Sequence, residues 1–517
     1  MLIQCVRYFV NFCIVDRIRF IQRFSVAPSG PRELQTHLAI ARSERYLRAR
    51  LPLLKEGLMQ SSRFDVAIIG AGIIGCAMAR RMTLDGASVV VLEKASDVLD
   101  GASKGNSALL HTGFDAPPGS VEQSCIARGY AEYHDVAKSL GLPILKSGAM
   151  VLAWDEEQLS QLPSLVEKAQ TNGVHDVAML TREQIRMREP NLSDAVLGGF
   201  EVPREFIIDP WATAHAYLMQ ALENGAQVSR DSEVLGGQFE GDHWVLDTTK
   251  GTVEARQVIN CAGLYGDILD ERLIGERSFT LTPRKGQFVV YDKPASDLVS
   301  AIILPVPTKT TKGVVICRTI FGNVLVGPTA EDQDSRTDAS TNRETLIALH
   351  EAGVRMIPAL QNVEVTTAYA GLRPATEFSD YQIRYFRDQN YTCVGGIRST
   401  GLSSALGVAI KIAEQFKADD FGKSAIADQV IPAIDRLSNY HPRDWEATDH
   451  GGIVCDCELV TRREIEEVLA GPLPPATLQG LKRRTRVCMG RCQGFYCTAE
   501  VARLTAGKIN PPLGTET

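Results

Sequence analysis

No uninterrupted apolar run in this 517-residue chain approaches the ~18–20 residues of a bilayer-spanning helix, so the sequence offers no transmembrane segment. A peripheral contact with a membrane stays open. A basic excess is also missing. Lys and Arg number 55 against 62 Asp and Glu, a net charge of −7, which argues against nucleic acid as a partner. Cysteine is sparse over most of the length, with seven scattered singly through the first 454 residues. A secreted disulfide scaffold would be small and cysteine-dense throughout, so a reducing, cytoplasmic setting is expected, free or at the inner face of a membrane. Residues 1–58 carry nine arginines, one lysine and four acids, which only partly matches an organellar transit peptide. They read better as an upstream extension before Met59, and 1–62 is set aside from the fold.

The chain does hold a strand–turn–helix–strand pattern, "RFDVAIIGAGIIGCAMARRMTLDGASVVVLEK". Phe64–Ile69 reads as a buried parallel strand. Gly70, Gly72 and Gly75 form G-x-G-x-x-G where that strand meets a helix. Gly70 permits the turn, Gly72 lets a pyrophosphate approach the backbone, and Gly75 lets the helix pack on the strand. The helix aims its open N–H groups at the phosphate. Glu93, 21 residues past Gly72, ends the second strand, where an acid can accept from a ribose hydroxyl and disfavours a 2′-phosphate. The polar stretch "DGASKGNSALLHTGFDAPPGS" follows, with Ser103, Asn106 and Ser107 able to bond phosphate or the polar edge of a flavin, and then His111.

At these residues the sequence resembles the glycine/D-amino-acid oxidase superfamily of flavoproteins. Within it, the likeness is strongest to flavin-dependent glycerol-3-phosphate dehydrogenases and oxidases. "GTVEARQVINCAGLYGD" and "YTCVGGIRSTGLSSALGVAIKIAEQF" resemble later parts of the same fold. The resemblance implies FAD as cofactor, with Val234 and Gly263 near its adenine half and Gly396, Gly401 and Leu402 beside the isoalloxazine. It implies an α/β fold: a discontinuous Rossmann-like FAD-binding domain in segments of about 63–147, 206–276 and 386–418. An antiparallel-sheet α+β substrate domain would fill about 148–205 and 277–385. A hydride-accepting flavin needs a partner base for the substrate's O–H or N–H proton, and a histidine serves near neutral pH without perturbation. The resemblance puts His111 in that place and Lys285 and Arg373 near a small anionic substrate. Arg373 suits a bidentate hold on carboxylate or phosphate. Arg398 departs from many superfamily members and is open to a substrate, flavin or structural ion-pair role.

Five cysteines fall in the last 63 residues: Cys455, Cys457, Cys488, Cys492 and Cys497. Thr461 and Glu464 form a T-x-x-E capping box for a short helix between the two groups. The C-x-C followed by a later pair fits a tetrathiolate site, either iron–sulfur or zinc. "IVCDCELVT" and "RTRVCMGRCQGFYC" resemble the bacterioferritin-associated ferredoxin type of [2Fe–2S] domain, which implies Cys455, Cys457, Cys492 and Cys497 as ligands with Cys488 extra. The adjacent run Lys482–Arg486 would then sit near a negative cluster or be a solvated basic turn. A small helical C-terminal domain is expected over 451–510, after a linker over 419–450.

The resulting expectation is an FAD-dependent dehydrogenase oxidising a small anionic hydroxy compound, with glycerol 3-phosphate first. Electrons would leave through [2Fe–2S] to a quinone or partner subunit. The alternatives are an amino acid, imino acid or opine dehydrogenase on the same fold and, in another class, a non-catalytic redox or iron-responsive binding protein.

Overall fold

The computed structural model describes residues 63–307, 313–418, 424–434 and 437–513. The arginine-rich segment 1–62 and parts of the expected linker, 419–423 and 435–436, lie outside them.

Branched apolar residues make Phe64–Ile69 and Val89–Leu92 adjacent parallel strands, the second buried throughout. The helix Ile73–Leu84 connects them and buries ten of its residues, among them Ile73, Met78 and Met82. On the other side Phe64–Ile69 pairs in parallel with the long strand Gly251–Asn260. The first part of that strand runs antiparallel to Trp244–Thr248, and its last part runs parallel to Tyr391–Gly395. Gln227–Ser229, Val234–Phe239 and Gln382–Phe386 complete eight strands drawn from distant stretches of chain.

Two helices, Val121–Leu140 and Gly401–Ala418, pack against each other over this core. They approach closely because each presents a glycine. A Cβ on Gly129 would lie 2.3 Å from Ser403 O, and one on Gly407 would lie 1.9 Å from Cys125 O. The contact brings Ser403 against the strand Leu109–Leu110, where its hydroxyl accepts from His111 N at 2.8 Å.

A second sheet has nine strands and is antiparallel except where Ile302–Pro305 meets Ala149–Ala153. Its longest pair, Leu281–Tyr291 with Val365–Thr376, sets Arg284 opposite Arg373 and Lys285 opposite Leu372. Alternation along a strand then puts Arg284 and Arg373 on one face and Lys285 on the other. A small third sheet pairs Leu109–Leu110 with Phe206–Ile208 in antiparallel register, Leu110 facing Phe206.

Residues 453–505 form a hairpin and three short helices, Arg462–Ala470, Leu478–Thr485 and Thr498–Thr505, around Val460, Ile465, Leu481, Val487 and Val501. The capping box is present: Thr461 Oγ1 accepts from Glu464 N at 3.1 Å, and Glu464 Oε2 accepts from Thr461 N at 2.8 Å. The basic run before the cysteines is not a solvated turn. Arg484 makes a bidentate pair with buried Asp97 at 2.9 and 3.2 Å, and Arg483 donates to Val98 O at 3.1 Å. Arg486 pairs with Glu458 at 3.0 Å and covers the Phe321 ring at 3.9 Å. Burial alone would expel these charges; acids on the facing surfaces hold them there. The described end of the expected linker packs too. Leu437 is buried, and Asn439 N donates to Ile320 O at 3.0 Å.

Candidate active site

One cavity of about 1060 Å³ runs between the two large sheets, larger than most small-molecule sites. Every residue expected at the cofactor lines it except Gly75. Gly75 acts from behind: a Cβ there would sit 1.9 Å from Gly70 O, so only glycine lets the helix start this close to the turn. Gly70 itself takes φ +103°. Gly72 differs, because a Cβ on it would approach only Ser103 Oγ, at 3.2 Å. Its backbone therefore lies open to the cavity. The helix beginning at Ile73 has no side-chain cap from Gly72; Ser103 Oγ instead accepts from Ile73 N at 2.9 Å. An open glycine backbone at a helix N-terminus fits a pyrophosphate.

Glu93 ends its strand under this turn. Its two oxygens accept from Ala71 N at 2.7 Å and Ala95 N at 2.9 Å, and burial raises its pKa despite those bonds. Asn106 braces the next segment, donating to Ser103 O at 3.0 Å and accepting from Ala108 N at 2.8 Å. Ser107, Val234, Gly263, Gly396, Gly401 and Leu402 contribute the remaining expected cofactor wall.

The expected chemical residues divide. His111 and Arg373 share the cavity wall; Lys285 does not line it. Lys285 is 8% exposed, and its ammonium bonds Asp338 at 2.9 Å. It therefore anchors the segment 330–341, whose Arg336 also reaches buried Asp267 at 2.5 and 2.8 Å. The strand alternation that turns Lys285 away turns Arg284 inward. Arg284 lines the cavity, held by Asp332 at 2.5 and 2.9 Å. Arg373 donates to Thr329 O at 3.0 Å. Burial, reinforced by neighbouring Arg284, pushes its pKa down to about 10, which leaves it cationic at neutral pH. Two guanidiniums side by side favour an anion. Arg398 also lines the cavity; it bonds Ser379 O and lies 3.8 Å from Glu122, so a structural ion pair is part of its role.

Glu205 went unnoticed in the sequence. It is wholly buried, and its Oε2 meets His111 Nδ1 at 2.7 Å. Its other oxygen accepts from Thr112 N at 2.6 Å and Thr112 Oγ1 at 2.7 Å. The pairing of Leu110 with Phe206 continues by one residue to place His111 beside Glu205. A partner 94 positions away leaves no local signal, although "PREFIID" does set one acid before an apolar strand.

The family model for FAD-dependent oxidoreductases (DAO) matches residues 65–415. The chain belongs to that family. It is an FAD-dependent oxidoreductase, and the cavity described above is where the residues expected at its FAD converge. A glycerol 3-phosphate dehydrogenase of Caloramator mitchellensis is 34% identical over 454 residues, covering 86% of this chain and 94% of the relative. A glycerol 3-phosphate oxidase of Mycoplasma pneumoniae is 29% identical over 66% of this chain and 91% of its own. The FAD-bound, dithionite-reduced structure of L-α-glycerophosphate oxidase from Mycoplasma pneumoniae superposes with a TM-score of 0.67 at 26% identity. That match covers 71% of this chain and 97% of that one.

Outside the family match, the oxidoreductase gathers its tail thiols. Cys488 and Cys497 Sγ atoms lie 3.4 Å apart, with Cys455 beside Cys497 and Cys457 beside Cys492, all as free thiols. Burial raises Cys455 and Cys497 to about 11. Among the described residues, no group of three or more His, Cys, Asp or Glu side chains is arranged to hold a metal ion. No described helix is long and apolar enough to cross a membrane.

Proposed function

We propose that this oxidoreductase converts glycerol 3-phosphate to dihydroxyacetone phosphate. The observation that carries the reading is a single cavity wall joining His111 to the paired guanidiniums of Arg284 and Arg373. The named activities of the relatives at 34% and 29% identity support it. FAD, when bound, supplies the acceptor for the hydride leaving the carbinol carbon. His111 takes the hydroxyl proton as the C=O bond forms. Arg373, with Arg284 beside it, holds the phosphate and so fixes which carbon faces the oxidant. The apolar walls, among them buried Phe288 and half-buried Leu402, keep bulk water from the reacting bond.

Anaerobic mixing with glycerol 3-phosphate, proline, sarcosine, an opine and 2-hydroxyglutarate tests the substrate. Bleaching of the 450 nm band by glycerol 3-phosphate is expected; bleaching by amines alone would reject the proposal. Arg373→Leu is expected to lower kcat/KM for glycerol 3-phosphate by about 10²–10³-fold. That corresponds to roughly 3–4 kcal/mol, within the range for truncating one member of a desolvated charge pair. Turnover of unphosphorylated glycerol should barely change; equal losses on both substrates would remove the phosphate-binding role.

The tail supports a second part of the proposal. Its candidate donors are all thiols: Cys457 neighbours Cys492, and Cys497 neighbours both Cys455 and Cys488. The resemblance of the tail to the bacterioferritin-associated ferredoxin type makes Cys455, Cys457, Cys492 and Cys497 the four that would hold [2Fe–2S], two thiolates to each iron. Such a cluster would supply one-electron transfer, with a quinone or a partner subunit as acceptor. Purified protein should contain about two irons and two sulfides per chain. Cys455→Ser should lose them and Cys488→Ser should keep them; zinc in place of iron would overturn this assignment.

A further inference from the structure

Glu205 has a task that follows from what each of its oxygens can accept. We infer that Glu205 fixes the tautomer of His111, holding the ring proton on Nδ1 so that Nε2 carries the lone pair that receives the substrate proton. Glu205 is thus a positioning residue, and the inference rests on the reading of His111 as the base.

A carboxylate only accepts hydrogen bonds, and here both oxygens are engaged. Oε1 takes Thr112 N and Thr112 Oγ1, at 2.6 and 2.7 Å. The Thr112 amide cannot reverse its role, because a backbone N–H only donates. Oε2 then faces His111 Nδ1 at 2.7 Å, and that nitrogen must be the donor. The antiparallel pairing of Leu109–Leu110 with Phe206–Ile208 sets the two side chains next to each other. His111 N is tied separately to Ser403 Oγ, so the amide of His111 itself does not depend on Glu205. Glu205 is buried, whereas the His111 side chain keeps 15% exposure and lines the cavity. When Nε2 takes a proton, the imidazolium keeps its Nδ1–H on Oε2, and the adjacent carboxylate stabilises the new charge.

Glu205→Gln tests this sharply. The glutamine carbonyl must stay with the Thr112 N–H, so its NH₂ turns toward His111 Nδ1 and makes that nitrogen an acceptor. The ring proton then moves to Nε2, and the base is blocked without being removed. The FAD-loaded protein, labelled with ¹⁵N-histidine, gives the direct readout, with the His111 signal identified by its loss in His111→Asn. In the wild type the neutral ring should show the Nδ1–H tautomer, and in Glu205→Gln the Nε2–H tautomer. Stopped-flow reduction by glycerol 3-phosphate should fall about 10²–10⁴-fold in kcat, with KM changed less than about threefold. A wild-type ring protonated on Nε2 overturns the inference even if the variant does not fold. An unchanged tautomer in a folded Glu205→Gln overturns it too. If glycerol 3-phosphate fails to reduce the wild type, the substrate assignment falls while the NMR signal still decides the role of Glu205.

Discussion

Replacing His111 with alanine is expected to slow reduction of the bound flavin by glycerol 3-phosphate about 10²–10⁴-fold, the usual contribution of a positioned general base. The anchoring of His111 makes the result interpretable. Its backbone N–H bonds Ser403 Oγ, and its imidazole meets Glu205. Alanine keeps the first contact and deletes only the ring. Flavin content should therefore hold, and KM should change little if, as proposed, Arg373 on the facing sheet holds the anion. Exogenous imidazole at high concentration should recover part of the rate, since the vacated space opens onto the cavity. A stopped-flow rate near that of the wild type would remove His111 from the chemistry. A loss of bound flavin without a loss in rate per flavin would make it a structural residue.

The second large effect concerns how the thiol-bearing tail is held. Asp97→Ala is expected to cost the docking of that tail about 3–5 kcal/mol, the usual penalty for leaving a buried charge without its partner. Asp97 is 2% exposed and its partner Arg484 has a side chain 7% exposed. Arg230 stands 3.9 Å from the same carboxylate, so alanine would leave two guanidiniums facing each other. Asp97 also accepts from Ala476 N at 3.1 Å, just before the helix Leu478–Thr485. The loss should thus appear locally. Hydrogen exchange at Leu481 and Thr485 should speed up by roughly 10²–10⁴-fold, while amides of Val66–Ile69 keep their protection. Equal acceleration at both places would mean that the tail and the FAD domain open as one unit. No acceleration would mean that Arg484 finds water in the native state. The loop in question begins only four residues after Glu93, so cofactor retention is a useful companion measurement.

The site was unevenly legible from sequence. The turn around Gly70, Gly72 and Gly75 could be read at once, because its elements are contiguous and Gly70 and Gly75 each answer a local steric demand. Glu93 was legible for the same reason: the spacing of one strand–helix–strand unit fixes it. Lys285 shows where local reading stops. It stands next to Arg284 in "PRKGQF", and only strand alternation against the distant strand Val365–Thr376 decides which cation faces the cavity. The run Lys482–Arg486 was ambiguous because a basic helix looks alike whether water or Asp97 covers it.

By itself, the sequence determined the dinucleotide turn, the strand and helix periods that build the two large sheets and their helices, and the clustering of thiols in the tail. Those features depend on neighbours within a few tens of residues, where backbone sterics and hydrophobic period act directly. Only the tertiary structure decided that Glu205 braces His111, that Arg284 joins Arg373, and that Asp97 clasps Arg484. Each is a pairing across long stretches of chain, fixed by strand register and surface docking, and neither is encoded within a local window of residues.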